Sequence, residues 1–569
     1  MKKAIEELNR KGILIKNNIC EYIKSDETKV VDNKLYYKTV SEGLVLLINN
    51  KKKLHMTLDS FGTMLDLSRG AVFKLSYIKE LIYKQALMGV NQIWLYIEDV
   101  YELDGYPTFG YMRGRYTKDE LKAIIEYAEI FEIEIVPSIQ VLGHHGQFLR
   151  WPNSSPYKDQ SQVLIVEEEK TYALIKKMIE WAKSNFKTNK IHVGMDETFG
   201  LGFGAFYKKN GYKDPMEIFT NHLNIVNEMA LKEGFKEVMI WSDMFFRFLS
   251  PIEYYYDSNI VLDDKLVSRI PENVTLVYWD YYNHNDKIVS SMLKNHVDTK
   301  RKTVFASGTW VWTRFSYDKY QTDRTAKMHL KETLKTSVKD FILTQWMDDG
   351  AYADHKTSLL GVYEISCDLY FGGIANKKVF KEITNDDYNI AINKTKINET
   401  IMSQVGLLWD DPLLAIYLNN FTGNSYEEIE QHIVKQNEIL KNLSLKKTPF
   451  EFLIMKINLL KLETRKTLLE SYENKELNEG LIKTYQEIIK LVRKLNAYYQ
   501  EMWYGRYKTF GLEVVQSRLG TQIIRFEEMI YIVKNYQKGD IIDVLEEKAI
   551  KDQYLSLKYN DIAFSVKPF

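Results

Sequence analysis

The stretch Thr117-Lys-Asp-Glu-Leu-Lys-Ala-Ile-Ile-Glu-Tyr-Ala-Glu-Ile-Phe-Glu-Ile-Glu-Ile-Val-Pro-Ser138 holds one complete helix-to-strand step. Thr117 and Glu120 form a capping box, in which each side chain satisfies a backbone N–H that the first helical turn leaves open. Leu121, Ile124, Ile125 and Ala128 then recur at helical spacing. From Phe131 the chain turns β-branched, and the run into Val136-Pro-Ser138 reads as a strand. The same step repeats over about residues 55–372, with strand candidates at 62–67, 92–98, 133–139, 190–196, 237–243, 274–281, 303–309 and 340–347. Helical runs fall near 75–89, 117–131, 170–186, 217–233, 286–300, 322–338 and 357–371, with less regular sequence at 246–270. Eight strands alternating with helices predict an α/β fold, the (β/α)8 TIM barrel. A doubly wound sheet would want a glycine fingerprint in its first βα turn, and none is there. Gly200, Gly202 and Gly204 do form a run, but in mid-chain, where it reads as a flexible loop rather than a phosphate cradle. The P-loop, the G-x-S-x-G elbow and the H-E-x-x-H motif are all missing from the sequence.

The barrel is expected at 55–384, after a small N-terminal α/β segment at 1–54 and before a helical C-terminal domain at 385–569. In that last part the composition shifts to Lys, Glu, Asn, Leu and Ile. Phe452, Met455, Leu459, Leu462 and Leu469 keep to one helical face, so the charges read as a solvated face. The Trp503-Tyr-Gly-Arg-Tyr-Lys-Thr-Phe-Gly511 stretch is unusually aromatic and basic for a plain bundle, with core packing as its simplest reading. The tail could cap the barrel, lend residues to a site or form a homodimer.

The 77 Lys+Arg cancel the 77 Asp+Glu, which argues against a basic nucleic-acid binder or an acidic tail protein. Hydrophobic residues at 45% and aromatics at 13% supply a large core. Cys20 and Cys367 can build neither a disulfide framework nor a tetrahedral zinc site. The N-terminal lysines are not followed by the apolar run of a signal peptide, and no apolar run approaches the ~18 residues of a membrane span. A cytoplasmic protein with no membrane partner is expected.

In a barrel, chemistry sits at the C-terminal ends of the strands. Those ends carry Asp66 and Arg69, Asp99, Gln140 with His144, Asp196-Glu197, Trp241 and Asp243, Trp279-Asp280-Tyr281, Trp310, and Trp346 with Asp348. One such Trp could be core. Four around one rim suggest an aromatic cup with polar groups at its lip, a surface on which sugar rings stack while carboxylates and Arg take hydroxyls. The plainer alternative is a rim packed under loops. In Ile191-His-Val-Gly-Met-Asp-Glu-Thr198, alternation puts His192, Gly194 and Asp196 on one face and Val193, Met195 and Glu197 on the other. Glu197 then joins Asp196 only if the strand has already ended. Adjacent carboxylates push each other's pKa values apart, which suits one to remain ionised and the other to act as an acid.

His192-Val-Gly-Met-Asp196-Glu197 resembles the H-x-G-G-D-E motif of the glycoside hydrolase family 20 β-N-acetylhexosaminidases, with Met195 in place of the second Gly. Asp66-Leu-Ser-Arg69 is similar to that family's D-x-x-R, Val136-Pro-Ser-Ile-Gln-Val-Leu-Gly-His144 to its V-P-E-I-D-M-P-G-H, and Trp346-Met-Asp348 to its W-x-E/D. The order is right over about residues 55–372, and the likeness is to a compact, non-secreted bacterial branch with a helical C-terminal domain. Three departures stand out. Gln140 replaces an acid. The family's Tyr-x-Asp is not evident in Ser307-Gly-Thr-Trp-Val-Trp312. The usual N-terminal companion domain is shortened.

The resemblance implies an exo-acting, retaining, substrate-assisted hydrolase of terminal β-linked GlcNAc or GalNAc, with no cofactor and no metal. Glu197 would be the general acid and base. Asp196 would orient the 2-acetamido group and stabilise the oxazolinium ion. Arg69 would hold the 3- and 4-hydroxyls and Asp348 the 4- and 6-hydroxyls. Trp241, Trp279, Trp310 and Trp346 would wall the pocket, with His144 and His192 as supporting hydrogen-bonders. Tyr281, or failing it Tyr282, would contact the acetamido oxygen. The competing readings are a retaining β-glycosidase with Asp243 or Asp280 as covalent nucleophile, and a sugar-binding barrel without catalysis.

Overall fold

The computed structural model describes residues 1–15, 18–348 and 350–551. They fall into two compact units: those within 1–310, 321–347 and 359–386, and those within 311–320, 348–358 and 387–551.

The first unit opens with helix Lys2–Arg10 and a three-stranded sheet of β1 (Glu21–Lys24), β2 (Lys29–Val31) and β3 (Lys34–Tyr37) in the order β1-β3-β2. Eight further strands follow: β4 (Ser60–Asp66), β5 (Gln92–Tyr96), β6 (Glu134–Ser138), β7 (Lys190–His192), β8 (Glu237–Trp241), β9 (Val274–Trp279), β10 (Thr303–Gly308) and β11 (Asp340–Gln345). They close into one parallel barrel, with β11 paired to β4 from Asp340↔Ser60 to Gln345↔Leu65. Helices on the outside and side chains on the inside bury both faces of each strand, which is why β4, β9, β10 and β11 are buried along their whole length. The eight-stranded barrel of the sequence reading is therefore the observed fold, and the Thr117–Glu120 capping box forms on helix Lys118–Glu129.

Two expectations need correction. The helical run at 322–338 is two helices, Lys319–Arg324 and Ala326–Thr333. The fourth barrel strand stops at His192 instead of 196, because Gly194 and Met195 both take φ 73° in the left-handed region. No extended ladder continues through such residues. The alternation drawn through Glu197 lapses with it.

Asp66 secures the seam where the last strand meets the first. Its Oδ2 accepts the Met347 N–H at 2.9 Å and its Oδ1 the Ser68 N–H at 2.9 Å.

The second unit is helical, built around helix Pro449–Glu473. Leu459 and Leu462 join Met402, Leu407, Tyr417, Leu418, Ile429 and Ile433 in its core. Glu451, Lys461 and Arg465 of this helix are buried, whereas Lys456, Glu463, Lys466, Glu470 and Glu473 keep the exposure that a solvated face requires. Lys461 donates to Leu408 O, Asp410 O and Gln522 Oε1 at 2.6–2.9 Å, and burial lowers its pKa to about 8. The aromatic-basic stretch enters the core through Trp503 and Tyr507, buried ring to ring, while Tyr504 and Phe510 are exposed and Arg506 pairs with Asp354. No helix among the described residues is long and apolar enough to cross a membrane.

A Cβ on Gly62, inside β4, would lie 2.6 Å from Ile342 Cδ1 and 2.7 Å from the Gln92 carbonyl oxygen. Neighbouring barrel strands cannot both retreat, so Gly62→Val should cost about 1–3 kcal/mol by overpacking. Thermal unfolding followed by calorimetry checks this; an unchanged midpoint would contradict it.

Candidate active site

Glu197 and Asp196 occupy a turn that the backbone must bend sharply to make. Met195 (φ 73°) and Glu197 (φ 47°) are left-handed, as is His144 (φ 57°) in the segment facing them. Such residues cost about 1–3 kcal/mol each and persist only where their surroundings fix them. Gly194 is one such constraint. A Cβ there would meet Gln140 Oε1 at 2.0 Å, so only glycine lets the turn close on the third-strand segment. Gly143 does the same from the other side, where a Cβ would meet the Asp196 carbonyl oxygen at 2.7 Å.

Asp196 is buried, and its carboxylate is tied at both oxygens. Gln140 Nε2 donates to Oδ1 at 2.8 Å, and His144 Nε2 donates to Oδ2 at 3.1 Å. Burial alone would raise its pKa, but the His144 charge and these two donors outweigh burial and hold it below the usual range. The partner shift is the mirror image: burial would lower His144, yet the Asp196 carboxylate lifts it to about 9. Glu197 lies beside the pair, with its Oε2 3.8 Å from His144 Nε2 and its side chain 38% exposed. Its own N–H donates to Asp243 Oδ2 at 3.2 Å. Asp243 is buried, and burial together with the Asp196 charge pushes its carboxyl well above the usual range.

Arg69 reaches the same cluster from the first strand end. It pairs with Asp66 Oδ2 at 3.2 Å and Glu98 Oε1 at 3.3 Å, and lies 3.4 Å from His144 Nδ1. Its guanidinium stacks over Trp346 (5.0 Å) and Tyr96 (5.1 Å). Tyr96 donates to Glu98 at 2.9 Å and accepts from Gln140 Nε2 at 3.0 Å, which closes the network onto Asp196.

The tryptophans occupy different layers. Trp241 is buried in the barrel against His192 (4.4 Å) and Trp346 (6.1 Å). Trp279 stacks on Tyr281 at 5.3 Å, and Trp310 meets Tyr282 at 5.5 Å. Tyr281 is buried with Thr344 and Trp346 at its hydroxyl, whereas Tyr282 is half exposed. His192 is buried and neutral, lowered to about 3 by burial. The structure therefore joins Arg69, His144, Asp196, Glu197 and Trp346 in one contact network, while Asp348 opens a segment of the second unit.

Sequence reasoning passed over Glu98 in favour of Asp99, which is instead bound by Arg113 at 2.7 Å. Counting in twos from Trp94 through Tyr96 reaches Glu98, and that period would have found it. Tyr255, whose nearest carboxylates include Glu197 and Asp243, lies in irregular sequence that carries no such signal. Among the described residues no group of three or more His, Cys, Asp and Glu is arranged to hold a metal ion.

Residues 61–363, more than half of the chain, match the glycosyl hydrolase family 20 catalytic domain. The chain belongs to glycoside hydrolase family 20. Residues 380–560 match the glycoside hydrolase 20C C-terminal domain. Hexosaminidase D of Bos taurus is 26% identical over 261 residues, covering 43% of this chain and 68% of that one. Hexosaminidase D of Homo sapiens is 24% identical over 223 residues, covering 37% of this chain and 43% of its own length. Among solved structures, the GH20 exo β-N-acetylglucosaminidase of Vibrio harveyi in complex with N-acetylglucosamine has a TM-score of 0.47 at 13% identity, over 67% of this chain and 70% of that one.

In this family 20 hydrolase the ion pair sets a pH window. The folded pKa of His144 lies above the ~6.5 of a free imidazole. Its contribution to stability is therefore complete below that value and lost as pH rises through about 9. An NMR titration should find His144 protonated at neutral pH and deprotonating near 9, and Asp196→Asn should bring that midpoint down. A midpoint unmoved by Asp196→Asn would show that the pair does not control it.

Proposed function

We propose that this glycoside hydrolase is an exo-β-N-acetylhexosaminidase that removes terminal non-reducing β-linked GlcNAc or GalNAc by retaining, substrate-assisted catalysis. The observation that carries the reading is the contrast within one turn. Asp196 is buried and kept ionised by His144 and Gln140, while Glu197 beside it is half exposed. A fixed charge and a group that can exchange protons are the two functions the reaction needs.

Glu197 gives its proton to the glycosidic oxygen as the bond to the anomeric carbon breaks. The substrate's acetamido carbonyl oxygen attacks that carbon from the opposite face. Asp196 accepts the acetamido N–H, which aims the carbonyl, and its charge stabilises the oxazolinium ion. Glu197, now a carboxylate, takes a proton from water as the water opens the oxazolinium ring. Two inversions leave the β-configuration unchanged. Arg69 binds the 3- and 4-hydroxyls. Trp279, Trp310 and Trp346 form the pocket, with Trp241 packed behind Trp346, and Tyr281 holds the acetamido oxygen.

The rival with a protein nucleophile is poorly served by its two candidates. Asp243 is pushed towards the neutral acid, which is a weak nucleophile. Asp280 is fully buried and spent on structure, accepting from Tyr278 Oη, Asn283 Nδ2 and the N–H groups of Tyr282 and Asn283 at 2.7–3.0 Å.

Two assays test the proposal. Glu197→Gln should lower kcat on a disaccharide by about 10²–10⁴-fold, with a smaller loss on aryl glycosides whose leaving groups need less protonation. Near wild-type turnover of the disaccharide would mean that the acid is another residue. An aryl β-glucoside lacks the internal nucleophile, whose effective molarity in well-oriented cases is about 10⁵ M or more. It should be nearly inert beside the matching β-N-acetylglucosaminide, and a thiazoline mimic of the oxazolinium ion should block turnover. Equal turnover of both aryl substrates, insensitive to the mimic, would rule out substrate assistance.

A further inference from the structure

A general acid must lie within hydrogen-bond reach of the oxygen it protonates. Whatever that oxygen carries on its leaving side therefore rests against the surface beside Glu197. Three aromatic and cationic side chains make up that surface, and none belongs to the pocket assigned above. The left-handed turn at Glu197 brings the Phe199 N–H to the Glu197 carbonyl oxygen at 2.7 Å and turns Phe199 outward, 49% exposed. The Arg247 guanidinium lies over the Phe199 ring at 4.7 Å and over the Tyr255 ring at 5.3 Å. Tyr255 in turn packs on Trp279 at 5.4 Å, so a continuous shelf runs outward from the pocket wall.

One feature of the shelf points to a polar ligand. Arg247 gives one N–H to Glu253 Oε2 at 2.5 Å and one to Glu253 O at 2.9 Å. A guanidinium has five N–H donors, so the pair with Glu253, itself 73% exposed, fixes the fork without exhausting it.

We propose that Phe199 and Arg247, with the Tyr255 ring packed against the guanidinium, form the subsite for the leaving sugar, whose ring stacks on Phe199 while Arg247 binds its hydroxyls. The inference rests on Glu197 being the acid. It makes the shelf the determinant of which disaccharides are cut, separate from the recognition of the terminal sugar.

The test compares N,N′-diacetylchitobiose, which has a leaving sugar, with N-acetyl-β-glucosaminyl fluoride, which has none, using the full-length enzyme. The readout is the ratio of kcat/KM for the disaccharide to kcat/KM for the fluoride. Ring stacking of about 1–1.5 kcal/mol corresponds to roughly a tenfold effect. Phe199→Ala should lower the ratio about tenfold, and Arg247→Lys, which keeps the charge but loses the planar fork, should lower it several-fold. An unchanged ratio in both variants would overturn the subsite, whether the two rates stand still or fall together, since a parallel fall means that the residues only shape the loop of Glu197. The acid assignment is checked separately by Glu197→Gln in the same assay. A wild-type enzyme inert on both substrates would overturn the hexosaminidase reading and the subsite with it.

Discussion

The ion pair between Asp196 and His144 is the contact on which the site depends. A carboxylate taken out of water favours its neutral form, and a buried imidazole favours its own. Each residue here reverses the other's preference, and Gln140 adds a donor that carries no charge. The result is a negative charge fixed below the surface, where it interacts strongly because water does not screen it. The same charge accounts for much of its surroundings. It adds to burial in pushing the Asp243 carboxyl above its usual range, and Glu98 and Asp66 flank the Arg69 guanidinium that faces His144.

The barrel supplies the rigidity this arrangement needs. Asp66 binds Met347 across the seam and Arg69 beside it, so the residues that close the cylinder also place the guanidinium. Arg69 then stacks on Trp346 from the last strand, and Trp346 packs on Trp241 from the fifth. The pocket wall is thus continuous with the barrel core. A tryptophan at a strand end can be both core and rim, which is why the sequence could name these residues without saying how deep each one lies.

The barrel was legible because alternation of strand and helix is a periodic signal, and each period is set by burial. The candidate site was legible where its residues fall at strand ends, as for Arg69, His144, Asp196 and Glu197, which the fold brings into one network. It was not legible where the backbone left the regular path. Nothing in the period of Ile191–Glu197 marks the strand's end at His192, since that end comes from left-handed residues. Tyr255 lies in irregular sequence, and its approach to Glu197 is a tertiary event. In the helical unit, Lys461 and Arg465 looked solvated because a sequence shows charge but not the carbonyl groups that gather around it.

Two of the differences from the family motifs, Met195 and Gln140, meet in one hydrogen bond. Met195 stands where the resemblance expects glycine, and Gln140 where it expects an acid, and the Met195 N–H donates to Gln140 Oε1 at 3.2 Å. A left-handed methionine carries a conformational cost that glycine would not. That bond, with the surrounding close contacts, fixes the turn. A carboxylate at position 140 could accept from Met195 just as well, but if ionised it could not donate to Asp196. It would place a second negative charge against the first and drive one of the two to protonate. An amide does both tasks at once, accepting from the strained backbone with its oxygen and donating to the carboxylate with its nitrogen. The turn is held and Asp196 keeps its charge, so the substitution alters the means of support while leaving the electrostatics of the turn intact.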